Sequence, residues 1–72
     1  MISFKFTQGK GKNFTPANKI IEYAKKNGFN YYRTGFGTLV IDINSNSYKY
    51  NSYTITPNNN GTETIEIFLE LF

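Results

Sequence analysis

The sequence predicts one small α+β domain: a single helix packed on one face of a four- to five-stranded, mostly antiparallel sheet, in the order β-α-β-β-β-β. Three observations predict it. Residues 15–28, TPANKIIEYAKKNG, hold the only convincing helical period, with a stop signal at each end. Several other stretches alternate apolar and polar residues as half-buried strands do. The segments between them are short and rich in Gly, Asn and Ser, the residues of turns. One amphipathic helix and several half-apolar strands bury each other most simply as two layers.

The elements follow in order. Ile2, Phe4 and Phe6 alternate with Ser3, Lys5 and Thr7, which makes a first strand over residues 2–7. Gln8–Phe14 reads as a flexible loop leading to the helix. Thr15 is a good N-cap, Pro16 suits the first helical position, and Gly28 supplies a left-handed C-terminal residue. Ala17, Ile20, Ile21 and Ala24 form the apolar stripe, and Lys25 and Lys26 complement the dipole in the last turn. Phe29–Thr34 reads as a second strand, ended by Gly35-Phe36-Gly37. Thr38–Ile43 is a third, with Leu39, Ile41 and Ile43 inward and Asp42 outward. Asn44–Ser47 is a polar turn cluster. Tyr48–Thr56 is a fourth strand whose apolar phase changes between Tyr50 and Tyr53, so a bulge is expected near Asn51-Ser52. Asn60-Gly61 signals a type I′ turn in the loop that follows.

The last segment, residues 62–72, fits two templates. As a strand it places Ile65, Ile67, Leu69 and Leu71 on one face. As a helix it aligns Ile65, Phe68, Leu69 and Phe72. The strand is the expected form, because it gives the short helix a two-strand apolar floor. It also sets Glu66 or Glu70 across from Lys5, a favourable cross-strand pairing. The core expected from these patterns is Ile2, Phe4, Phe6, Ala17, Ile20, Ile21, Ala24, Phe29, Leu39, Ile41, Ile65, Ile67 and Leu69.

Composition narrows the chemistry. A 72-residue chain buries only about 60% of the surface its unfolded form exposes. Without cysteine no disulfide or thiolate metal site can help, and the compensation is aromatic, with seven Phe and six Tyr. No apolar run approaches the ~20 residues of a membrane helix. The first residues lack the basic-then-apolar order of a signal peptide, so cytoplasmic residence is the expectation. The net charge of +3 divides unevenly, +6 over residues 1–36 and −3 over residues 37–72. With no His and no Cys, the commonest general base and the thiol nucleophile are missing, and no serine has an identifiable base partner. Glu63, Glu66 and Glu70 read as the wet face of the last element rather than as a metal or acid–base cluster. A metal-free nuclease built on Lys10, Lys12, Arg33 or Tyr has no motif behind it. The expectation is a protein that is not an enzyme and has no cofactor or metal.

Two features point to binding. Gly9-Lys10-Gly11-Lys12 lies between a strand and a helix start, where free amides and the dipole favour anions. It does not match the P-loop pattern, and a solvated, mobile basic loop is the simpler explanation. Aromatics interleave with cations in Phe29–Arg33 and in Tyr48-Lys49-Tyr50, as on surfaces that stack bases and neutralise phosphates. With Phe29 and Tyr31 inward, Tyr32 faces solvent.

Lys25-Lys-Asn-Gly-Phe29, Arg33-Thr-Gly35, a strand ending in Ile55-Thr-Pro57 and an amphipathic tail together resemble the HicA family of small RNA-cleaving toxins. That family has a fold like the double-stranded-RNA-binding domain. Its diagnostic Gly-Ser-His is here Gly35-Phe36-Gly37, so the catalytic residue is missing, and the first strand and Gly/Lys loop are extra. The resemblance implies a helical tail and a nucleic-acid partner, and it transfers no activity.

The leading expectation is a non-catalytic binding protein that engages nucleic acid, or a machine that handles it, through Lys10, Lys12, Lys19, Lys26, Tyr32, Arg33 and Lys49. The alternative is an inhibitor or adaptor of a phage or mobile element that acts by protein–protein interaction through Tyr32, Asp42, Tyr50, Glu66 and Glu70. A homodimer formed through an open sheet edge is compatible with either.

Overall fold

The computed structural model describes residues 1–72. Its elements are β1 (Ile2–Gly9), α1 (Pro16–Asn27), β2 (Asn30–Arg33), β3 (Leu39–Ile43), β4 (Asn46–Pro57) and β5 (Thr62–Leu71). All five strands join one sheet in the order β1-β5-β4-β3-β2, and every neighbouring pair is antiparallel. The expected α+β class and element order are those observed.

The helix forms where its local signals place it. Thr15 caps it, its Oγ1 accepting from the Asn18 amide at 3.2 Å. At the other end Gly28 takes φ 73°, and the Phe29 amide reaches back to the Ala24 carbonyl at 2.9 Å. That bond closes the C-terminal turn and lays Phe29 against Tyr23. Ile20 and Ala24 are fully buried, while Ala17, Ile21 and Tyr23 pack half-buried around them.

The last segment is a strand throughout, so the helical tail implied by the HicA resemblance is not present. β5 lies inside the sheet, between β1 and β4, where both ladders satisfy its backbone. It pairs Phe6 with Ile65 and Phe4 with Ile67, and this is the floor beneath α1. Ile65, Ile67 and Leu69 have no exposed surface. Leu39, Ile41, Ile43 and Tyr48 complete the buried cluster, and Ile2, Phe4, Phe6, Phe14 and Phe29 flank it half-buried. Phe4 stacks face to face on Tyr23, with centroids 4.2 Å apart.

The phase change in β4 is resolved as expected. The register slips between Tyr50 and Ser52, leaving Asn51 as the extra residue of a bulge. Tyr48 and Tyr50 before it and Tyr53 and Ile55 after it therefore all face α1. The turns differ from expectation. Asn44 and Ser45, with φ 51° and 72°, form the two-residue hairpin between Ile43 and Asn46; both positive φ values fit a type I′ turn. In the β4–β5 loop Gly61 alone has positive φ, so Asn60-Gly61 is not a type I′ pair. That loop is longer and closes through the Asn58 amide and the Thr62 carbonyl. Glu63 is also not on the wet face. It shares the parity of Ile65, is only 8% exposed, and its carboxylate accepts from Gln8 Nε2 at 3.0 Å.

Candidate nucleic-acid interface

The residues singled out from the sequence fall in three places, because the sheet order separates what the sequence placed together. The first is the groove between α1 and the outer edge of β1. Tyr23 lies on Phe4 and Lys19 lies over Phe6, so the helix runs back alongside β1 in the opposite sense. Phe4, Lys5 and Phe6 from the strand and Lys19, Glu22, Tyr23, Lys25 and Lys26 from the helix enclose about 470 Å³. Lys19 Nζ stands 4.7 Å from the Phe6 ring centroid and 3.6 Å from Glu22, the one carboxylate among these groups. Lys10 and Lys12 sit past the far end of β1, on the turn that leaves it. Of the seven expected cationic and aromatic residues, Lys19 and Lys26 line this groove, and Lys10 and Lys12 follow beyond the end of the same edge strand. Lys25 joins them on the helix, and Lys5 borders the groove from β1 although its parity sets it on the far face, across from Glu66.

The Gly/Lys loop is built differently from an anion cradle. The Lys10 amide donates to the Gly61 carbonyl and the Lys12 amide to the Gly9 carbonyl, both at 3.1 Å. Gln8 Nε2 also donates to the Lys12 carbonyl at 2.8 Å. One lysine amide is spent on the β4–β5 loop and the other within the turn, so the loop offers side-chain charge rather than a nest of free N–H groups.

The second place is the sheet face turned away from α1. Tyr32, Val40, Lys49 and Glu70 form one row across β2, β3, β4 and β5. Val40 is completely buried yet stands apart from the helix-side cluster. Here one ion pair forms and the other carboxylates are hydrogen-bonded to serines. Lys49 pairs with Glu70 at 3.7 Å, and Asn51 Nδ2 donates to the same carboxylate at 3.0 Å. Lys5 lies across from Glu66, as the strand reading expected, while the Glu66 carboxylate accepts from Ser3 Oγ at 2.7 Å. Asp42 accepts from Ser47 Oγ at 2.6 Å. Of the protein-docking set, Tyr32, Asp42, Glu66 and Glu70 share this face. Tyr50 has the opposite parity and lines a shallow groove with Ala17, Ile20 and Leu39.

The third place is the β2–β3 turn. Arg33 points away from Tyr32, and its Nη1 donates to the Gly37 carbonyl at 2.8 Å. Thr34 holds the same turn, its Oγ1 accepting from the amides of Phe36 and Thr38. Arg33 is therefore a brace for this turn, on the opposite sheet edge from the lysine groove. Phe36 at its tip is fully exposed.

No cluster of carboxylates is arranged to hold a metal ion, and no helix is long and apolar enough to cross a membrane. Comparison with protein-family models, curated proteins and solved structures finds no match to this chain.

Proposed function

We propose that this protein is a small non-catalytic module that binds nucleic acid by gripping phosphates along the α1–β1 groove. The observation that carries the reading is the distribution of charge. Lys10, Lys12, Lys25 and Lys26 make no ion pair and flank one edge, while Lys49 on the opposite face is neutralised by Glu70. Unpaired lysines along an edge attract a polyanion and release its condensed counterions on binding.

The same geometry argues for readout of charge rather than of bases. Phe4 is stacked on Tyr23, and Phe6 is enclosed by Phe14 and Lys19. These contacts occupy ring faces on which a nucleobase would stack, so the groove is suited to backbone, and binding is expected to be insensitive to sequence. Fluorescence anisotropy of labelled single-stranded and duplex DNA and RNA, at about 50 and 200 mM salt, tests this directly. Steeply salt-dependent binding with no sequence preference is expected. No binding at the lower salt overturns the reading.

A second reading rests on the grouping of Tyr32, Asp42, Glu66 and Glu70 with the partly exposed Phe68 on the far sheet face. An aromatic and apolar strip among satisfied charges suits a protein partner, since interface anchors are largely desolvated. It is favoured if a partner is lost on Tyr32→Ala and its binding changes little with salt.

A further inference from the structure

One sheet edge is left open within the fold. β3 pairs with β4 only over Asn46–Lys49, and β4 then continues to Pro57 with β5 as its one neighbour. Every residue from Tyr50 to Gly61 is exposed, and no charged residue occurs between Lys49 and Glu63. Natural edges are usually blunted by lysine, an internal proline or a covering loop. Over Ser52–Thr56 this one has none of these, the Asn51 bulge and Pro57 standing only at its two ends, and its Tyr, Ile and Thr are strong strand formers.

We propose that two copies of the chain pair antiparallel through this edge, about a two-fold axis at Ile55. The row Phe6–Ile65–Ile55 crosses three strands on the helix side and stops at Ile55, which is 46% exposed. The two-fold continues the row through the partner's Ile55, so both apolar rows close on each other. It also sets Thr54 against the partner's Thr56, a pairing that strands favour. Tyr53 then meets the partner's Pro57, which has no N–H to donate, so the paired stretch ends there.

Sterics select this register. Val40 pairs with Lys49, so the next pair inward places Leu39 beside Tyr50. An axis at Thr54 would drive the partner's 58–61 loop into the start of β3. Moving the axis to Ile55 draws the partner back by two residues, about 6–7 Å, away from β3. The other edges are less suited. β2 offers four residues, and pairing β1 with itself would set Lys5 against its own copy, beside the lysines of α1. In the β4 dimer the two lysine grooves lie five strand spacings apart, about 24 Å, so their charges are far from each other.

Sedimentation equilibrium over a concentration series tests the proposal. The wild-type chain is expected to approach twice its mass of 8.3 kDa. Ile55→Lys and Ile55→Glu each place like charges face to face on the axis, and each variant is expected to stay monomeric. An equimolar mixture of the two is expected to recover the dimer mass, because the axis then opposes Lys to Glu. Circular dichroism melts confirm that the variants fold; if either fails to fold, Thr54→Lys on the other face of the same edge is expected to abolish the dimer. A wild-type chain that stays monomeric, an Ile55→Lys or Thr54→Lys variant that still dimerises, or a mixture of folded variants that stays monomeric overturns the two-fold at Ile55.

Discussion

Single side chains here divide into those that hold the backbone and those left free, and the division decides what each mutation does. Gly28 is of the first kind. Nothing lies within 4 Å of where its Cβ would stand, so Gly28→Ala meets no clash and its cost is conformational, set by φ 73°. Forcing an L-residue into that region costs about 1–2 kcal/mol. A urea midpoint lowered by that free energy divided by an unchanged m-value is expected; an unshifted midpoint would mean the helix end had rearranged. Arg33 is also of the first kind despite its charge. Arg33→Ala removes the bond to the Gly37 carbonyl and is expected to cost about 0.5–1 kcal/mol, as an exposed hydrogen bond does. Nucleic-acid affinity is expected to be unaltered by it. Lost affinity at unchanged stability would place Arg33 in the binding surface after all.

At the scale of elements, the bulge at Asn51 is what lets one long strand keep one apolar face. Deleting Asn51 removes the bulge and joins Tyr50 directly to Ser52, so Tyr48, Tyr50, Tyr53 and Ile55 then alternate strictly and all stay on the helix side. The deletion is therefore expected to keep the urea midpoint close to that of the wild type, and a sharply lowered midpoint would show that the bulge does more than take up the change of phase. The bulge was legible in the sequence because Tyr48/Tyr50 and Tyr53/Ile55 break parity locally. The helix was legible for the same reason, Thr15, Pro16 and Gly28 being signals read within a few residues. The turns were only partly so: Asn44-Ser45 adopts positive φ without a glycine, while Asn60-Gly61 carries the glycine signal in a longer loop. Glu63 was misread because its parity with Ile65 matters only once Gln8 is known to face it.

Across the whole molecule, the insertion of β5 between β1 and β4 decides where the charge is felt. The chain divides into a basic first half and an acidic second half, but β5 carries Glu66 to Lys5 and Glu70 to Lys49, and the split disappears on the far sheet face. What survives is the lysine edge of α1 and the turn after β1. The grouping of Lys19 with Lys26 was legible from the helix, while the loss of Arg33 and Lys49 from it was not, since their partners come from strand neighbours the sequence does not order. This fixes the form of the decisive prediction. If the groove binds duplex phosphates, log K falls linearly with log salt, and each neutralised phosphate adds about 0.9 to the slope. Lys25→Ala with Lys26→Ala removes two unpaired cations and is expected to flatten the slope by up to about 1.8, with weaker binding at low salt. Lys49→Ala removes a cation already held by Glu70 and is expected to leave the slope unchanged. Titrations of the three proteins on one labelled duplex separate the cases. Should Lys49→Ala flatten the slope while the helix pair does not, the phosphates lie on the far face of the sheet, and the groove beside β1 is only a solvated edge.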